Sequence, residues 1–281
     1  MKNIIGIDLG GTSIECGRIE DACIAGHIKA DTQGHIGGQW TLDLLKSSIA
    51  ELMTDATEAI GIGVPSVVDR DNGIVYNVQN ISGWDEVPLK EILETEFGKP
   101  VYVDNDANCF AYGEKIYGKG REFKDFVGVT LGTGLGAGII QNHRLLSDSN
   151  CGSGEFGEIP YMGTKLEEFC GSRFFTDFTG LTGYEVAKNA DNGDSDAIRV
   201  FEEYGKHLAY LVKIIILVLD PQAVIFGGSI AKSFDLFQES IWKNLAGFPY
   251  PKSVEKLKII VSEQKNSGIL GAASLCTQPY Q

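Results

Sequence analysis

The sequence predicts an α/β protein of two lobes, each a mixed β-sheet flanked by helices. Its 281 residues are many for one compact core and comfortable for two. Short apolar runs alternate with stretches of helical apolar periodicity, as expected of strands separated by packed helices. One pattern also occurs twice: an apolar strand, a turn of glycine and threonine, and a returning strand, first as GIDLGGTSIECGRI and again as GVTLGTGLGAGII. The two copies are too unlike to prove a duplication.

Residues 3–8 (NIIGID) read as a buried strand, 9–12 as a turn and 14–19 as the returning strand, with a third strand at 23–29. Residues 39–57 carry the spacing of a helix. Strand 60–64, helix 89–97, strand 101–103 and helix 107–117 follow, so Asp104, Asn105 and Asp106 stand where a strand meets a helix. The second half starts afresh with strand 126–131, turn 132–136 and strand 137–141. Helices are predicted at 173–179, 184–189 and 196–219, then strand 223–226, a helix from Ile230 and strand 257–261. No linker interrupts the chain, and the boundary is expected within a helix or short loop. This gives lobes 1–115 and 116–281, with the last helix, about 266–281, packing back on the first.

Composition narrows the function. A formal net charge of -14 speaks against a nucleic-acid surface, which needs clustered Lys and Arg to neutralise phosphates. An anionic nucleotide must then be held locally, by backbone N–H groups, helix ends and a metal ion. The first residues show no leader peptide, and the longest apolar run, 208–219, contains Lys213 and is too short to span a bilayer. No membrane partner is expected. Six cysteines without a C-x-x-C pair read as reduced thiols of a cytoplasmic protein, and Cys151 and Cys170 lack a nearby histidine with which to hold a metal.

Two glycine turns, each with a threonine, can present backbone N–H groups and a hydroxyl to a polyanion, although each alone also reads as a hairpin turn. Asp8 precedes the first turn and suits a hydrated Mg2+ beside phosphates, or else a turn cap. Gly132, Gly134 and Ala137 match a dinucleotide fingerprint, but a strand follows them instead of the helix that motif requires. Asp104, Asn105 and Asp106 fit a polyol site at a strand end, with helix capping as the plainer alternative. Asp106 is the candidate base for a sugar hydroxyl, with Asn80 and Asn105 holding neighbouring hydroxyls. Glu155 and Glu158 lie in a glycine-rich loop, and Glu155 and Glu167 are expected to contact a sugar. Gly227 and Gly228 end a strand with no side chains, leaving room for a flat adenine ring or marking a simple turn.

Taken in order, IGIDLGGT, GVPSVVDRDNGIV, NISGW, VDNDAN, VTLGTGLGAG, GSGEFGEI, LEEF and VIFGGSI resemble the ROK family of bacterial sugar kinases and repressors, over nearly the whole chain. The resemblance implies the actin-like ATPase fold, with two ribonuclease H-like lobes closing over ATP and a sugar. It implies a glucokinase-like transfer of phosphate from Mg-ATP to a hexose hydroxyl. Asp8, Gly10, Gly11 and Thr12 would form the first phosphate loop, Gly132, Thr133 and Gly134 the second, and Gly227 and Gly228 the adenosine turn. Asp106 would be the base, with Asn80, Asn105, Glu155, Glu158 and Glu167 around the sugar. A homodimer is implied as well.

The chain departs from the family in places. A histidine usual in the family is replaced by Glu158, and the cysteine cluster that binds a structural zinc with that histidine is absent, MGTK leading straight to LEEF. No zinc is expected, and sugar choice is put in question. Ser66 replaces a common glycine, adding a hydroxyl near the expected sugar. Family repressors carry a DNA-binding segment ahead of the kinase-like region, whereas this chain opens on its first strand. A sugar-binding or regulatory protein without turnover is the alternative reading.

Overall fold

A computed structural model describes residues 3–10, 13–21, 23–32, 34–78 and 81–277. Strands β1 (Asn3–Leu9), β2 (Ser13–Glu20) and β3 (Cys23–Asp31) lead into helix α1 (Gly38–Leu52). Next come β4 (Thr57–Val64), β5 (Val67–Asp69), β6 (Ile74–Tyr76), β7 (Glu86–Val87), α2 (Leu89–Phe97), β8 (Val101–Asn105) and α3 (Asp106–Ile116). Strands β9 (Phe126–Leu131) and β10 (Leu135–Gln141) precede the short β11 (Arg144–Leu145), β12 (Pro160–Tyr161) and β13 (Thr164–Lys165). Helices α4 (Glu167–Cys170), α5 (Arg173–Thr179), α6 (Gly183–Asp191) and α7 (Ser195–Leu219) follow. The chain closes with β14 (Ala223–Gly227), α8 (Phe234–Leu245), α9 (Pro251–Lys256), β15 (Lys258–Val261) and α10 (Ser267–Leu275).

Two compact units result: Met1–Arg121 with Arg144–Ser153 and Gln264–Gln281, and Glu122–His143 with Gly154–Glu263. In the first, the sheet order is β3-β2-β1-β4-β8, with β1, β2 and β3 antiparallel and β4 and β8 parallel to β1. Alternation decides its two faces. Ile5 and Ile7 of β1 and Ile60 and Ile62 of β4 join Leu45, Ile49 and Leu93 in one core, each such side chain stabilising the fold by about 1.5–3 kcal/mol on burial. The opposite face carries Ile4 and Gly6 of β1 and receives Ile269, Leu270 and Ala273 of α10. There Gly6 pairs with Gly17 on one side and Gly61 on the other. A Cβ on Gly6 would lie 2.2 Å from the Ile269 carbonyl oxygen, and one on Gly61 would lie 1.9 Å from that of Ala272. The glycine row lets α10 rest on the sheet backbone.

The segment Arg144–Ser153, expected by sequence in the second lobe, belongs to the first unit. Arg70 Nη1 donates to the Leu146 carbonyl oxygen at 2.9 Å and Nη2 lies 3.7 Å from Asp148 Oδ2, so a buried arginine holds it there. Helix α1 stops at Leu52, short of the predicted residue 57, because Thr57 already pairs with Asn3 as the first residue of β4. In the turn between them, Thr54 N–H donates to Thr57 Oγ1 at 3.0 Å.

In the second unit β10-β9-β14-β15 repeats the pattern of β2-β1-β4-β8, with one antiparallel pair and two strands parallel to β9. Helix α7 begins on Asp194, whose carboxylate accepts from the N–H groups of Asp196 and Ala197. Its inner side sets Phe201 and Tyr204 against Phe175 and Phe237. Among the described residues no helix is long and apolar enough to cross a membrane.

Candidate active site

The ends of β1, β4 and β8 meet in one row of the first sheet. Asp8 pairs with Gly63, and Gly63 with Asp104, which sets the two carboxylates on the same face, about 10 Å apart at their Cα atoms. Gly63 leaves the space that the start of α3 enters: a Cβ on it would lie 3.1 Å from Cys109 Sγ and 3.4 Å from the Asp106 Cα. The buried Cys109 thiol is pushed well above its usual range, by desolvation first and then by the negative charge of Asp104, Asp8 and Asp106, against the lowering of Arg70.

The three successive residues of the DND run take different tasks. Asp104, only 1% exposed, accepts from Asn105 N at 2.7 Å and Asn108 Nδ2 at 2.9 Å, and pairs with Arg70 Nε at 3.2 Å. Asn105 caps α3, its Oδ1 accepting from the N–H groups of Ala107 at 2.9 Å and Asn108 at 3.3 Å, while its Nδ2 donates to the Ser66 carbonyl oxygen at 3.1 Å. Asp106 is the first residue of the helix and is half-buried, with Oδ1 accepting from Ala107 N at 2.7 Å. The Ser66 hydroxyl, expected near a sugar, donates instead to the Tyr76 carbonyl oxygen.

Asp8 is half-buried, its backbone paired with Glu15 and Gly63 in the sheet. Its Oδ2 would lie 2.3 Å from a Cβ on Gly268, in the first turn of α10. Its pKa is raised from 3.8 to about 6, by desolvation and then by Glu15, against the lowering of Lys29. Such a carboxylate fits a Mg2+ held through water, since an adjacent cation would stabilise its charged form. Among the described residues no cluster of three or more His, Cys, Asp or Glu is placed to hold a metal ion. Gly10 is pinned between Ser13, whose carbonyl accepts from Gly10 N at 2.8 Å, and the buried Thr32, whose hydroxyl donates to the Gly10 carbonyl at 3.2 Å. Gly11, Thr12 and Asn80 lie outside the described residues.

In the second unit the predicted glycine turns share one end of the sheet, because β9 and β14 are neighbours and Gly227 pairs with Thr130. Gly132 N–H donates to the Gly134 carbonyl at 3.1 Å, and the Gly132 carbonyl accepts from Ser172 N at 2.8 Å. A Cβ on Gly132 would meet nothing within 4 Å, and Thr133 is exposed, so this turn opens onto free space. Gly228 has φ 88°, and a Cβ there would lie 2.3 Å from the Leu131 carbonyl oxygen, two reasons for glycine in the predicted adenosine turn.

Glu155, Glu158 and Glu167 come together around Lys165, a residue the motifs did not single out. Lys165 Nζ donates to Glu158 Oε1 at 2.7 Å and lies 3.1 Å from Glu167 Oε1. Glu167 Oε2 accepts from Leu135 N at 3.1 Å. Glu155 is exposed, yet its carboxyl is raised above the usual range by partial desolvation, then by Glu158 and Glu167, against the lowering of Lys165. A lone lysine in the acidic stretch EFGEIPYMGTKLEE was the available sequence signal. Arg70 was missed too, and nothing local in DRDN announces that it reaches Asp104.

A sequence model of the ROK family matches residues 4–279. The chain belongs to the ROK family. It is 30% identical to the glucokinase of Thermotoga maritima, over 97% of this chain and 96% of that one. The xylose repressor of Bacillus spizizenii is 27% identical, over 98% of this chain and 77% of the repressor. Among solved structures, a ROK family glucokinase from Streptomyces griseus in complex with glucose and AMPPNP superposes with a TM-score of 0.84 at 27% identity, covering 97% of this chain and 98% of that one. The ROK protein described here accordingly has the actin-like ATPase fold, its two units each a mixed sheet with helices on its faces.

Proposed function

We propose that this ROK protein is an ATP-dependent sugar kinase that phosphorylates a hydroxyl of a hexose, with Asp106 as general base. The observation that carries the proposal is the division of labour in the DND run. Asp104 is neutralised by Arg70 and Asn105 gives its Oδ1 to the helix cap, while Asp106, at the half-buried start of α3, is the carboxylate to which we assign the proton. Support comes from the glucokinase relatives and from the two glycine turns, 132–134 and 227–228, at one end of the second sheet, of which that at Gly132 opens onto space a phosphate can fill.

As the hydroxyl attacks the γ-phosphorus, its proton passes to the Asp106 carboxylate, which spares the reaction a free alkoxide. Gly10, Gly11 and Thr12 would face the phosphates, and so would the turn of Gly132, Thr133 and Gly134, through the exposed Thr133 and the backbone N–H groups not already bonded within each turn. Gly227 and Gly228 let the nucleoside approach backbone. Asp8 would hold Mg2+ through water, and the ion would supply charge neutralisation for the phosphate oxygens. Asn80, Asn105, Glu155, Glu158 and Glu167 would orient the sugar, whose identity, glucose-like or an N-acetylated hexosamine, is the open part of the reading.

The test is ADP release from ATP with a panel of hexoses, for the wild type and Asp106→Asn. Turnover with at least one hexose, lost in the variant while ADP still binds, is expected; near-normal turnover in the variant removes Asp106 as base. The xylose repressor relative supports a second reading, a sugar-responsive protein without catalysis. It is favoured if no hexose gives turnover yet one raises the melting temperature.

A further inference from the structure

We infer that Lys165 is a positioning residue for the second glycine turn, acting through Glu167. The lysine's own place is set by backbone. Strands β12 and β13 form a hairpin in which Pro160 pairs with Lys165, closed by Met162 at φ 49° and Gly163 at φ 87°, the paired positive angles of a tight hairpin turn. Leu166, fully buried, anchors the next residue, and its N–H donates to the Ile159 carbonyl at 2.9 Å. The ammonium group is thereby delivered between Glu158 and Glu167.

Glu167, so held by one oxygen, uses the other to accept the Leu135 N–H directly after the turn. The fit is close: a Cβ on Gly134 would lie 2.4 Å from Glu167 Oε2. The link between α4 and α5 grips the same turn, with Ser172 N–H on the Gly132 carbonyl and a Cβ on Gly171 coming 2.7 Å from the Thr133 carbonyl. The stretch from Glu167 to Ser172 therefore holds the turn at both ends, and Lys165 keeps the first of these grips in place. Without the ammonium, Glu158 and Glu167 lose the cation they share, and like-charge repulsion, to which Glu155 adds, draws Glu167 away from Leu135. The turn then loses the fixed backbone that a phosphate needs.

The structural part stands without any assumption about catalysis; its kinetic consequence rests on the kinase reading above. Amide hydrogen exchange at Leu135 is therefore measured on the free full-length protein, wild type and Lys165→Met, Lys165→Arg and Glu158→Gln/Lys165→Met. Exchange about tenfold faster in Lys165→Met is expected, the scale of one lost charge-assisted hydrogen bond. Lys165→Arg should stay near wild type, and the double variant should recover part of the protection because one repelling carboxylate is gone. In the hexose assay, Lys165→Met should raise KM for ATP about tenfold, with kcat changed less. An unchanged Leu135 amide in Lys165→Met overturns the inference, as does equal deprotection in Lys165→Arg, which would make the stem and not the charge responsible. Absence of turnover in the wild type would sink the kinase reading alone, and amide exchange would still decide the role of Lys165.

Discussion

Replacing Asp8 by asparagine should make the protein more stable and less active at once. The folded structure raises this carboxyl from 3.8 to about 6, chiefly by desolvation. Between those values the folded chain binds more protons than the unfolded one, so stability falls as pH rises from about 4 through about 6 and the full cost persists above. Two pH units correspond to about 3 kcal/mol, and because the half-buried group keeps some water the measurable cost is expected at about 1–2 kcal/mol. Asparagine removes the charge with little change of shape. Urea unfolding at pH 8 should therefore show Asp8→Asn more stable than wild type by that amount, with the difference shrinking as pH approaches 4. Hexose-dependent ADP release should collapse in the same variant, and Mg-ATP should no longer raise its melting temperature. A variant no more stable than wild type at pH 8 would refute the desolvation argument. Normal turnover would refute the assigned role beside the phosphates.

Other perturbations separate structural from ligand-facing positions. Arg70→Met removes the cation beside the buried Asp104 carboxylate, and urea unfolding should register a loss of about 3–5 kcal/mol. Gly132→Ala meets nothing in the free protein, so its melting temperature should hold or rise slightly, while calorimetry should show ATP binding at least about tenfold weaker. Gly228→Ala forces a Cβ against Leu131 at a positive φ and should lower stability by about 1–2 kcal/mol in the same unfolding assay.

Much of this protein was legible along the chain, because local rules decide it. Helices 89–97 and 173–179 and strand 126–131 fall at the bounds their periodicity predicts. The twice-used strand, glycine turn and strand pattern prefigured two sheets of matching topology. Helix 39–57 was overestimated because the fate of Thr57 depends on Asn3, a partner that periodicity cannot see.

The family motifs in the sequence determined which glycines and carboxylates to consider: Asp8, the turn at 132–134, Gly227 and Gly228, and the DND run. Tertiary structure alone decided what each carboxylate does. In sequence Asp104 and Asp106 are near-equivalent acids at a strand end; in the fold Arg70 reaches across from the end of β5 and neutralises the first, leaving the second at the helix start. Glu158 and Glu167 likewise looked like two loop carboxylates until the β12–β13 hairpin delivered Lys165 between them. The physical reason is the short reach of these interactions. A charge is neutralised by whatever lies within a few ångströms, and for residues distant along the chain or joined by a turn, folding sets that distance.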